Sequence, residues 1–284
     1  MKFTKIILLG LILLVTSAIS AQDVISVQEL SKIMKKKDVV IVCATSEKGY
    51  KVHITGSVNV PYSSLCNSKP VKNLIKPADE MAKLLGAKGV TPEKTIVVYD
   101  EGSGKYAGRM YWLLKYLGAP NVKMLNGNLI AWKAKRRPIT GSPTKVTAGT
   151  FTAKADASIL ANMDDVKSAA GNSSIILVDA RTPAEFAGTA KTELRKGRIP
   201  GAVNIDHTSL LDKKSLLKSN DALKSLFESK GVTKDKTVIA YCESSTRAGI
   251  VFLALKGLGY PKVKVYDGAY LEWQADTANK VEYY

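Results

Sequence analysis

Thr237-Val-Ile-Ala-Tyr-Cys-Glu-Ser-Ser-Thr-Arg-Ala-Gly249 and Thr95-Ile-Val-Val-Tyr-Asp-Glu-Gly-Ser-Gly-Lys-Tyr-Ala-Gly108 are near-copies of one stretch. Each begins as a continuously apolar, β-branched run, the pattern of a strand covered on both faces. Each then enters a short polar loop, and an apolar helical pattern follows. The loop puts Cys242 at the strand exit in one copy and Asp100 in the other, and the Asp100 loop is one residue longer. A duplicated scaffold with a nucleophile in only one copy implies one working site and one retired site.

The duplication extends outward from these loops. Gly89-Val-Thr-Pro-Glu-Lys-Thr95 matches Gly231-Val-Thr-Lys-Asp-Lys-Thr237, and His53-Ile-Thr-Gly-Ser-Val-Asn-Val60 matches Arg198-Ile-Pro-Gly-Ala-Val-Asn-Ile205. Leu125-Asn-Gly-Asn-Leu-Ile-Ala-Trp132 matches Tyr266-Asp-Gly-Ala-Tyr-Leu-Glu-Trp273. The repeat is a domain in length, so it marks a tandem duplication and not a solenoid. Strand runs at Val39–Cys43, Thr95–Tyr99 and Val122–Leu125 have counterparts at Ile175–Asp179, Thr237–Tyr241 and Val263–Tyr266. Helical stretches at Ala107–Leu117 and Ala248–Leu258 follow the central runs. This alternation predicts an α/β fold in two copies, each a parallel sheet with helices on both faces. Ligands of such sheets bind beyond the carboxyl ends of the strands, where Asp179 and Cys242 fall.

The amino-terminal residues 1–21 read as a secretory signal: Lys2 and Lys5, an apolar core from Ile6 to Val15, and a small-residue cleavage zone at Ala18-Ile-Ser-Ala21. That core is too short to span a bilayer, which takes about 20 residues. The expected product is exported, periplasmic or secreted, with no membrane insertion after cleavage. Residues 22–135 form the first domain, 136–157 a linker rich in Pro, Gly, Ser and Thr, and 158–284 the second domain. A short strand is expected at Thr150–Ala153.

Lysine and arginine exceed aspartate and glutamate by 42 − 25 = 17. Such a surplus draws in small anions. The basic residues are scattered and not interleaved with aromatics, which argues against a nucleic-acid groove. Three cysteines in an exported chain leave at least one unpaired; Cys242 is expected free, and a bond between Cys43 and Cys66 stays open. Two histidines, His53 and His207, exclude a histidine-rich metal site and leave a thiol peptidase short of a base. A cysteine-dependent phosphate loop needs arginine six residues past the cysteine, and that position is Ala248.

The loop around Cys242 defines a chemistry. Backbone N–H groups converge at a helix start and carry partial positive charge, conditions that favour a thiolate there. Arg247 would add a full charge, and Glu243 brings a negative one beside the thiol.

Four stretches of the second half, in order, resemble the signatures of the tandem-domain rhodaneses, the thiosulfate/3-mercaptopyruvate sulfurtransferase family. They are Leu177-Val-Asp-Ala-Arg-Thr-Pro-Ala-Glu-Phe186, Gly197-Arg-Ile-Pro-Gly-Ala-Val-Asn204, the Cys242 loop, and Tyr266-Asp-Gly-Ala-Tyr-Leu-Glu-Trp273. The resemblance implies a silent first domain walling one side of a cleft, and no metal or organic cofactor. It implies that Cys242 accepts a sulfane sulfur from a small anionic donor and passes it to a thiol or cyanide. By the same resemblance Arg181 and Arg247 hold the donor, with Glu243, Ser244, Ser245 and Thr246 lining the loop. An ion pair of Arg181 with a nearby carboxylate such as Glu185 is the structural alternative. A carrier or redox-sensing module that holds persulfide without turnover is the alternative for the whole protein.

Overall fold

The computed structural model describes residues 23–283; the expected signal segment lies outside the described residues. The first sheet contains β1 (Val24–Ile25), β2 (Val39–Cys43), β4 (Val58–Asn59), β5 (Thr95–Tyr99) and β6 (Val122–Leu125), in the order β1-β6-β5-β2-β4. The second contains β8 (Leu160–Ala161), β9 (Ile175–Asp179), β10 (Val203–Asn204), β11 (Thr237–Tyr241) and β12 (Val263–Tyr266), in the order β8-β12-β11-β9-β10. The two orders correspond strand for strand, and every pairing in both sheets is parallel. A small antiparallel pair, β3 (His53–Ile54) with β7 (Ile139–Thr140), ties the start of the expected linker back to the first domain.

Period-two alternation along the central strands sorts their side chains between two cores. Val40 and Val42 of β2, Ile96 and Val98 of β5, Ile176 and Val178 of β9, and Val238 and Ala240 of β11 face one continuous core shared by both domains. Helices α2 (Ala78–Ala87), α3 (Lys105–Tyr116), α7 (Asn220–Glu228) and α8 (Ala248–Gly257) contribute to that shared core. The alternate residues Ile41, Cys43, Val97 and Tyr99 face a second core under α1 (Val27–Ile33) and α4 (Asn128–Ala134). Leu177, Ile239 and Tyr241 do the same under α5 (Met163–Lys167) and α9 (Ala269–Ala275). The same parity carries past the strand ends, so Cys242 belongs to the shared, interdomain side.

The halves join where α3 crosses α8. A Cβ on Gly108 would sit 2.5 Å from the Ile250 nitrogen, and one on Gly249 would sit 2.4 Å from Gly108 backbone atoms. Only glycine at both positions lets the two backbones approach this closely.

One sequence expectation needs correction, and one question the sequence left open has an answer. Thr150–Ala153 is not a strand; Phe151 is buried in the shared core from an irregular segment, and the second sheet's first strand in the chain is β8, further along. Cys43 and Cys66 are both free. They belong to cores on opposite faces of the first sheet, so no bond can join them.

Candidate active site

The two copies of the loop show what the strand exit is built to hold. In the first domain the Asp100 carboxylate fills it. One oxygen accepts from the N–H groups of Gly102 (2.8 Å) and Gly104 (3.1 Å), and the other from those of Tyr106 (3.1 Å) and Ala107 (3.3 Å). The Ser103 hydroxyl adds a further bond at 3.1 Å. This is an anion cradle at a helix start, occupied by the chain's own carboxylate. In the second domain the corresponding side chain is Cys242, whose sulfur accepts from the Arg247 N–H at 3.2 Å. The residue is 1% exposed and lies at the base of its loop.

Above it an open cleft of about 370 Å³ separates the domains. Glu185, His207, Glu243, Ser244, Thr246 and Arg247 line it from the second domain, and Tyr62, Lys72, Asn73, Lys105 and Tyr106 from the first. The first domain thus supplies one wall of the cleft.

The structure places the sequence-derived residues in two groups. Arg247, Glu243, Ser244 and Thr246 meet at the cleft. Arg247 is already committed: its guanidinium forks onto Glu185 at 2.7 and 2.8 Å and lies 3.7 Å from Glu243. Burial works against the Arg247 charge, but Glu185 and the adjacent sulfur outweigh it and raise its pKa. Burial would likewise push the Glu185 carboxyl up, yet its bonds from Arg247 and Thr182 bring it down to about 2. Asn73 reaches across from the first domain to donate to the Ser244 carbonyl and hydroxyl and, at 3.4 Å, to the Thr246 hydroxyl.

Arg181 and Ser245 lie elsewhere. Arg181 forms the ion pair with a nearby carboxylate that was the structural alternative, with Asp179 and not Glu185 as its partner. Its Nε and Nη2 clamp the Asp179 carboxylate at 2.6 to 3.0 Å, Nη2 also donates to the Gly197 carbonyl, and the guanidinium lies 4.0 Å over the Tyr270 ring. The physical reason is local. Asp179 ends β9 two residues earlier, within reach of the turning chain. Glu185 meanwhile closes the capping box of α6 (Pro183–Ala187) with Thr182 and so faces Arg247. Arg181 is buried and does not line the cleft. Ser245 adopts a left-handed backbone (φ 62°) and turns its hydroxyl inward, where it accepts from Arg109 at 2.8 Å.

Arg109 is the residue that sequence reasoning missed. It is fully buried between the domains and bonds Ser245, the Asn73 carbonyl and the Asp267 carboxylate, the last at 2.5 Å. Asp267 in turn accepts from the Ile75 N–H. The repeat held a signal, since Arg109 interrupts an otherwise apolar helix where the other copy has Ile250. His207, one of only two histidines in the sequence, also lines the cleft. Burial lowers its pKa, Asp206 at 3.1 Å pulls it back up, and Arg247 and Lys105 lower it further.

Among the described residues no group of acidic, histidine or cysteine side chains is placed to hold a metal, and no helix is long and apolar enough to cross a membrane.

Comparison with known proteins agrees with this architecture. The model of the rhodanese-like domain matches twice, over residues 26–135 and 162–276. The chain is 32% identical over 252 residues to a thiosulfate sulfurtransferase of Azotobacter vinelandii, covering 88% of this chain and 93% of that one. It is 32% identical to the 3-mercaptopyruvate sulfurtransferase of Escherichia coli strain K12, covering 81% and 83% respectively. The solved structure of SseA from Escherichia coli, a 3-mercaptopyruvate sulfotransferase, superposes with a TM-score of 0.80 at 29% identity, covering 87% of this chain and 98% of SseA. With two rhodanese-like domains and relatives of this kind along most of its length, the chain belongs to the rhodanese family of sulfurtransferases.

Proposed function

We propose that the protein moves a sulfane sulfur from thiosulfate or 3-mercaptopyruvate to a thiol or cyanide through a persulfide on Cys242. The observation that carries this reading is the pair of loops. The Asp100 copy holds a negative side chain on four N–H groups, and the Cys242 copy presents a sulfur to a loop of the same descent. In the first half-reaction the Cys242 thiolate attacks the outer sulfur of thiosulfate. A new sulfur–sulfur bond forms, the old one breaks, and sulfite leaves with the electron pair. With 3-mercaptopyruvate the bond that breaks is carbon–sulfur, and pyruvate leaves as its enolate. The loop amides stabilise the persulfide anion as an oxyanion hole stabilises oxygen. In the second half-reaction the acceptor attacks the outer sulfur, and the Cys242 thiolate is the leaving group. Two displacements through one covalent intermediate give ping-pong kinetics.

The amino-terminal sequence supports export of the protein to a periplasm or beyond, where this chemistry would operate on diffusible donors.

The test is intact-mass analysis after incubation with each donor. The expected result is a gain of one sulfur atom, absent in Cys242→Ala, and its release as thiocyanate on adding cyanide over many turnovers. Gain without turnover favours the persulfide carrier. No gain with either donor removes both readings.

A further inference from the structure

The two arginines that the resemblance assigns to the donor are both taken by carboxylates, Arg181 by Asp179 and Arg247 by Glu185. The cleft also contains Glu243, and burial disfavours the charged form of His207. A thiolate receiving an anionic donor in such a setting has the Glu185 and Glu243 carboxylates beside its loop, both drawn onto the one Arg247 guanidinium. Two further cations line the cleft, Lys72 and Lys105, and both come from the catalytically silent domain. Neither makes an ion pair among the described residues. Lys72 is fixed beside the loop by its neighbour Asn73, which bonds Ser244 and Thr246. Lys105 opens α3 and rests 4.8 Å over the ring of Tyr106, another lining residue, and its charge reaches His207 across the cleft.

Building on the sulfur-transfer reading, we propose that Lys72 and Lys105 hold the anionic end of the sulfur donor, so that the silent domain supplies the donor site for the thiol of the other. The sulfite moiety of thiosulfate or the carboxylate of 3-mercaptopyruvate is the group they would take. The chemistry suits lysine, a mobile point charge that needs no fixed fork, in a wide and open cleft.

The experiment compares wild type with Lys72→Gln/Lys105→Gln and with a control, Lys213→Gln/Lys214→Gln, on a different groove of the protein. Thiosulfate is the donor and dithiothreitol the uncharged acceptor. The cleft variant should lose about tenfold in kcat/KM for thiosulfate, the scale of two partly screened charges, with kcat/KM for dithiothreitol unchanged. The control should lose less than twofold. A second readout does not depend on sulfur transfer: the rate of Cys242 alkylation by iodoacetate relative to uncharged iodoacetamide. That ratio should fall severalfold in the cleft variant only. An unchanged ratio together with an unchanged thiosulfate constant overturns the proposal, as does an equal loss in the control, which would assign the attraction to overall charge. Should wild type accept sulfur from no donor, the transfer reading fails, and the alkylation ratio alone decides whether the lysines gather anions at Cys242.

Discussion

Arg247 lays both ends of its guanidinium on the Glu185 carboxylate, at 2.7 and 2.8 Å, and so tethers the loop around Cys242 to the helix that follows β9. The same residue gives its backbone N–H to the Cys242 sulfur. Anchoring the side chain therefore fixes a hydrogen-bond donor at that sulfur.

This pair has a pH signature. Glu185 is depressed from its ordinary 4.5 to about 2, so its stabilising contribution is complete above about pH 4.5 and is lost as pH falls toward 2. Glu185→Gln keeps the shape and removes the charge. It should cost roughly 1–3 kcal/mol at neutral pH, the range of charge-assisted hydrogen bonds. The gap to wild type should close as pH approaches 2. Urea unfolding of both proteins at several pH values reads this directly, and a gap that stays constant would show that the carboxylate charge contributes nothing.

Asp100 gives a second expectation. Asp100→Ala leaves the N–H groups of Gly102, Gly104, Tyr106 and Ala107 facing an empty cradle. Loss of several charge-assisted bonds in a buried loop should cost about 2–4 kcal/mol. Formate should recover part of the loss, since it restores a carboxylate where the side chain was. Thermal unfolding with and without formate measures it, with wild type as the reference that formate leaves unmoved. Equal effects of formate on both proteins would argue that the cradle does not select anions.

The Arg109–Asp267 bridge is buried, and breaking one side of such a pair typically costs 3–5 kcal/mol. Arg109→Leu should lose stability on that scale. Arg109→Lys should not restore it, because one ammonium cannot reach Ser245, the Asn73 carbonyl and Asp267 in the same fork. Both variants should also free the Ser245 turn, so Cys242 should react faster with iodoacetamide than the 1% exposed wild-type residue does. Denaturant midpoints and alkylation rates separate the two effects, and a lysine variant as stable as wild type would refute the fork.

Much of the fold is legible in the sequence because parallel strands buried on both faces need unbroken apolar runs. Each expected central run, such as Ile175–Asp179 and Thr237–Tyr241, matches a strand to the residue. The edge strands β1, β4, β8 and β10 have two residues each, too short to leave a period. Of the site, Cys242 and its loop stand out because the duplicate loop differs there. The partners of Arg181 and Arg247 do not stand out. Pairing depends on which carboxylate a turn brings near, and Asp179, Glu185 and Glu243 are all close in sequence or in the fold. The first-domain wall is hidden for another reason. Lys72, Asn73 and Lys105 are ordinary surface residues until the crossing of α3 and α8 sets them opposite the loop.

That crossing supports a final prediction. Gly108→Ala and Gly249→Ala each place a Cβ 2.4 to 2.5 Å from backbone atoms of the opposing helix, where no rotamer change can give way. The helices must separate, at a cost near or above the 1–3 kcal/mol usual for overpacking. Gly257, at the end of α8, has nothing within 4 Å of its would-be Cβ and no left-handed backbone. Gly257→Ala should therefore be neutral or stabilise by up to about 1 kcal/mol through helix propensity. Because α8 begins at Ala248, directly after Arg247, Gly249→Ala should also disturb the loop and lower the rate of sulfur uptake by Cys242, whereas Gly257→Ala should not. Denaturation midpoints and single-turnover uptake for the three variants provide the measurement. A Gly249→Ala protein with wild-type stability would mean that the close helix crossing is not what joins the two halves.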